Sequence, residues 1–102
     1  MAVVKDFRQS KKITVPGYEG AEVEIYDGIL FGDAHLLARL TTDPSYENMG
    51  RALPKLIKSW NLTDEKNAPL PITEESLKLL SPEAVGAIAD ECTKFIEAKK
   101  KA

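Results

Sequence analysis

Ala21-Glu22-Val23-Glu24-Ile25-Tyr26 alternates apolar side chains with acidic or aromatic ones. A period of two places Ala21, Val23 and Ile25 on one face of a strand and Glu22, Glu24 and Tyr26 on the other, as a sheet with one buried side requires. Upstream, Ile13-Thr14-Val15 offers a partner strand, and Pro16-Gly17-Tyr18-Glu19-Gly20 supplies turn chemistry between the two. Residues 13–26 therefore read as a hairpin with a longer loop, and Asp27-Gly28 ends it.

Beyond that break the apolar period lengthens to that of a helix. The stretch 29–40 carries Leu36, Leu37 and Leu40 at helical spacing, with Asp33 as a capping acceptor. Phe31, ahead of the cap, is expected to fold back onto Leu37 as a hydrophobic staple. A second helix is marked by Asp43 as N-cap and Pro44 at the first helical position. Tyr46, Met49, Leu53, Leu56, Ile57 and Trp60 follow at three- and four-residue steps. Pro54 lies inside this pattern, where it removes a backbone donor and crowds the Gly50 carbonyl, so a kink or a break into two short helices is expected.

Residues 61–71 combine Asp64-Glu65-Lys66-Asn67 with Ala68-Pro69-Leu70-Pro71 and read as an extended arm, a tight turn and a proline-stiffened return. Thr73, Glu74, Glu75 and Ser76 open a short helix through Leu80, and Ser81-Pro82-Glu83 opens the last one. Val85, Ile88, Ala89, Cys92, Phe95 and Ile96 form its apolar stripe. The fold class is α+β: a short N-terminal antiparallel β-hairpin followed by about four helices, mostly helical. With 102 residues and no linker-like segment, the chain is expected to form a single domain over 1–102, with 1–10 as a flexible arm and 98–102 as a frayed tail.

Charge and chemistry narrow the function classes. The net charge of −2 with both signs interspersed lacks the basic footprint needed to hold phosphate backbones, so nucleic acid is not an expected partner. Lys99, Lys100 and Lys101 read as a cationic helix terminus that complements the helix dipole. No apolar run approaches the roughly 20 residues that span a bilayer, and the first ten residues lack a secretory signal, so no membrane contact is expected. Cys92 is the single cysteine and His35 the single histidine, too few for a disulfide or a conventional zinc site. Cys92 falls in the apolar stripe of the last helix and reads as core; His35 reads as a flank residue. The acidic pairs Asp64-Glu65 and Glu74-Glu75 read as turn and helix-start residues, and the glycines never form a phosphate-cradling pattern. No catalytic, cofactor or metal residue is assigned, and an enzyme is not expected. Trp60 reads first as a core indole and second as an interface anchor.

Trp60-Asn61-Leu62-Thr63-Asp64-Glu65, followed by Ala68-Pro69-Leu70-Pro71-Ile72-Thr73 and Glu75, resembles a pattern of the tail assembly chaperones of long-tailed bacteriophages. The elements shared are a tryptophan, a polar residue, leucine, an acidic turn, proline-leucine-proline and a helix start. In layout the likeness spans roughly residues 13–97; the specific part is 60–75. Asn67 departs from it, standing where the family usually has glycine, though asparagine also tolerates a left-handed backbone. The resemblance implies a chaperone in the host cytoplasm that coats the largely helical tape measure protein, keeps it soluble, and leaves as tail tube protein polymerises around it. It also implies self-association along the partner. Tyr46, Met49, Leu53, Leu56 and Trp60 are the candidate partner-binding face, adjustable through Met49 and the Pro54 kink. In this family a longer product often arises by frameshifting near the end of the short reading frame, which the lysine run at 99–101 would suit. The alternative is a small virion structural protein, such as a tail-completion or head-tail connector component.

Overall fold

The computed structural model describes residues 2–101, the side chains of 99–101 excepted; the expectations for the lysine run and for Ala102 lie outside the described residues. Two strands, β1 (Ser10–Thr14) and β2 (Glu22–Tyr26), pair antiparallel with Ile13 opposite Val23. The alternation in the sequence acts as expected: Ala21, Val23 and Ile25 are buried, while Glu22 is exposed and Glu24 and Tyr26 are half-buried. Gly17 and Gly20 adopt left-handed backbones at φ 89° and 76°, which lets the intervening loop turn without a Cβ penalty.

A 3-10 turn at Phe31–Asp33 precedes α1 (Ala34–Thr42). The expected staple does not form, because Phe31 is 97% exposed. Nor does Asp33 cap the helix with its side chain: at φ −108°, ψ 2° it continues the preceding turn instead of taking the extended conformation that aims a capping oxygen at the first amides. Leu40 is buried and Leu36 and Leu37 are half-buried.

The second helix, α2 (Tyr46–Leu56), begins two residues later than expected. Ser45, not Asp43, is its N-cap, and the Asn48 amide donates to Ser45 Oγ at 3.2 Å. Asp43 contributes through its carbonyl, which accepts from Asn48 Nδ2 at 2.7 Å. Pro44 consequently stands outside the helix.

The helical periodicity that runs on to Trp60 is overturned. Helix α2 stops at Leu56, and Ile57–Trp60 form a third strand, β3, antiparallel to β2 in the order β1-β2-β3. Pro54 sits in the last turn, where its missing donor weakens continuation, and Ile57 leaves the helix at φ −100°, ψ 125°. The free edge of β2 offers the backbone groups of 57–60 hydrogen bonds that a proline-broken helix could not.

Helix α3 (Glu74–Leu77) is shorter than expected; Thr73 caps it, accepting from the Ser76 amide at 3.2 Å. Helix α4 (Pro82–Lys101) begins as expected, with Ser81 Oγ accepting from the Ala84 amide at 3.2 Å. One face of the sheet is covered by helices, and α2 packs on α1, α3 and α4. The centre of the core is Val23 and Ile25 from the sheet, Leu53 and Leu56 from α2, and Ile88 and Cys92 from α4, all fully buried. The opposite sheet face is polar: Glu24 accepts from the hydroxyls of Ser10 and Ser59, at 2.5 and 3.1 Å, and these bonds, Ser10 first, hold its carboxyl below the usual range.

Candidate functional site

The segment 60–75 folds as a small latched unit. The Trp60 ring is half-buried, and its Nε1 donates to the Leu70 carbonyl at 2.8 Å, tying the outgoing arm to the returning one. Between them the Asp64 amide donates to the Ala68 carbonyl at 2.9 Å and the Leu70 amide to the Leu62 carbonyl at 3.0 Å. Asp64 Oδ1 accepts from the amides of Lys66 and Ala68 at 2.8 and 3.0 Å, an acidic side chain closing its own turn. Asn67 takes the left-handed conformation at φ 64°, the backbone state for which glycine is the commoner residue.

Asn61 connects this unit to the first hairpin. Its Nδ2 donates to the Gly20 carbonyl at 2.9 Å, and its Oδ1 accepts from the Glu22 amide at 2.7 Å. Leu62 is buried beneath. The far side of the first hairpin loop is held to the start of α4, since the Ser81 amide donates to Tyr18 Oη at 2.9 Å. Tyr18, Leu62, Leu70, Leu79 and Leu80 together wall an open apolar groove of about 610 Å³, with Asp64, Glu65 and Lys66 along its rim. Leu79, 68% exposed, is its most accessible apolar side chain. Leu79 and Leu80 come just after α3, beyond its C-cap Lys78, and the one signal for this surface in the sequence is that two adjacent leucines after a short helix cannot both face inward.

The five residues expected to make a partner face do not form one. Leu53 and Leu56 are fully buried and belong to the core, Met49 is half-buried against that core, and Trp60 lies on β3 with its indole bonded to Leu70. Only Tyr46, 64% exposed at the start of α2, is presented to solvent. The stripe on α2 is apolar because α2 covers the sheet.

A second open groove, of about 550 Å³, runs between α2, α3 and the start of α4, and Tyr46 stands at its rim. Cys92 is fully buried, and burial pushes its thiol up to about 12. His35 is exposed. Among the described residues no group of three or more His, Cys, Asp or Glu side chains is placed to hold a metal ion, and no helix is long and apolar enough to cross a membrane. Both grooves offer apolar surface with charged rims, suited to binding a chain segment. No protein-family model matches this chain, and no curated protein or solved structure matches it either.

Proposed function

We propose that this protein is a tail assembly chaperone of a long-tailed bacteriophage, acting in the host cytoplasm by binding and without a chemical step. It holds apolar helical stretches of the tape measure protein in solution until tail tube protein polymerises around them. The observation that carries this reading is the segment 60–75. Within it Trp60 supplies the latch of a hairpin, Asp64 and Asn67 make its turn, and Thr73 caps the helix that follows. That hairpin forms one wall of the groove that ends in Leu79.

An apolar groove with a charged rim suits the exposed face of an amphipathic helix, which would otherwise aggregate. Co-expression with the tape measure protein from the same genome tests the reading. The chain should keep that protein soluble and co-purify with it, and Leu79→Asp should abolish co-purification. Because Leu79 is exposed, the substitution should shift folding stability by no more than about 0.5 kcal/mol. A tape measure protein that precipitates equally with and without the chain would refute the proposal. Recovery of the chain in purified virions would favour a structural component instead.

A further inference from the structure

The hairpin groove and the groove beside α2 are two halves of one surface. Leu80 lines both: it lies with Leu77 and Val85 in the groove beside α2, and with Leu62, Leu70 and Leu79 in the hairpin groove. The two halves therefore meet at the turn that joins α3 to α4. Each also carries an exposed side chain that the other lacks, Tyr46 in the first and Leu79 in the second. The half beside α2 is walled by side chains of α2, α3 and the start of α4, so it offers no strand edge to an incoming chain. A helix, whose backbone groups are satisfied internally, can lie there without losing hydrogen bonds.

Charge says more about the occupant. Beside α2, Arg51 pairs with Glu47 at 2.6 Å and Lys78 with Glu75 at 3.3 Å, which leaves Glu74. Its side chain rests against Gly50, where an added Cβ would come within 3.3 Å of Glu74 Cγ and 3.4 Å of Oε2. The missing Cβ lets the half-buried Glu74 lay its carboxylate on α2, and among the described residues that carboxylate has no ion pair or hydrogen bond. On the rim of the hairpin half, Asp64 and Glu65 outnumber Lys66, and the bonds to Asp64 come from backbone amides, which leave its charge in place. A partly buried carboxylate without a partner favours a cation, and the surface as a whole disfavours an acidic helix.

We infer that a single amphipathic helix with a basic flank occupies both halves at once, its apolar stripe crossing Leu80 and touching Leu79 and Tyr46, and a lysine or arginine beside that stripe meeting the Glu74 carboxylate. The apolar stripe supplies affinity and the cation supplies selection, since a helix with an acidic flank would set a second carboxylate against Glu74. The inference rests on the reading of the hairpin groove as a partner's seat and adds to it the second half of the surface and the charge of the helix.

A labelled helical peptide of about 18 residues, with one leucine stripe and a lysine beside it, tests this when titrated with the full chain and read by fluorescence anisotropy. One peptide should bind per chain. Tyr46→Asp and Leu79→Asp should each weaken binding roughly tenfold or more, with the circular dichroism of the chain unchanged because both side chains are exposed. Glu74→Lys should weaken it a few-fold, and a peptide with glutamate in place of the lysine should bind that variant better than it binds the native chain. Absence of binding, two peptides per chain, or an affinity indifferent to Tyr46→Asp or to Glu74→Lys would overturn the inference. The same variants keep its fate apart from that of the proposed function. Tape measure co-purification lost with Leu79→Asp but retained with both Tyr46→Asp and Glu74→Lys would overturn the inference and leave that function standing. Peptide binding as expected, by a chain that fails to keep the tape measure protein soluble, would support the inference and refute that function.

Discussion

Cys92 is fully buried on α4, and desolvation, the largest influence on its thiol, raises the pKa to about 12. The expected outcome is that iodoacetamide at neutral pH fails to label Cys92 in the folded chain and labels it promptly in denaturant; mass spectrometry of the two samples decides. The linked effect has a definite sign. Between the ordinary thiol value of 9.0 and about 12 the unfolded chain sheds this proton and the folded chain keeps it, so this group makes stability fall as pH rises through that window. The burial is legible in the residue's neighbours, because a cysteine on an apolar helical stripe behaves as a small hydrophobe. Asn67 is legible for a different reason: its short polar side chain tolerates positive φ in an acidic turn, and it sits at 64°. Ser45 is less legible than either. Asp43 and Ser45 both qualify as caps, and the choice between them depends on which backbone turns extended.

At the scale of elements, β3 carries the main lesson. Ile57 pairs with Ile25 and Trp60 with Val23, so positions three apart on β3 oppose positions two apart on β2. The irregularity that absorbs the extra residue brings Ile57, which is buried, and Trp60, which is half-buried, to the same side, while Lys58 and Ser59 both reach Glu24. A three-residue apolar step is also the signature of a helix, which is why the helical periodicity runs on through a strand. The hairpin that follows depends on the Trp60 latch. Trp60→Phe keeps an aromatic ring and removes the 2.8 Å bond to the Leu70 carbonyl, so stability should drop by about 1 kcal/mol in denaturant titration. Amide exchange at Asp64 and Leu70 should accelerate more than at core amides of α4. Equal acceleration everywhere would mean that the bond holds the whole fold and not that element.

For the whole molecule, the decisive division is between apolar surface spent on the core and apolar surface offered outward. Tyr46, Met49, Leu53 and Leu56 lie on one helical stripe, yet the core claims Leu53 and Leu56 completely and leaves Tyr46 in solvent. Leu53→Ala should therefore cost about 2–5 kcal/mol and lower the thermal midpoint by about 10 °C or more, while Tyr46→Ala should stay within about 0.5 kcal/mol. Calorimetry of the two variants separates the roles; similar losses from both would contradict the packing described.

From the sequence alone came the elements whose signals are local: the alternation of β2, the caps of α3 and α4, the turn at Asp64 and Asn67, and the stripe of α4. Each follows from side chains acting on backbone within a few residues. The third strand, the unstapled Phe31 and the division of apolar side chains between core and grooves were decided only by tertiary structure. They depend on which surfaces meet, and a period of apolar residues records that a face is to be covered without recording by what.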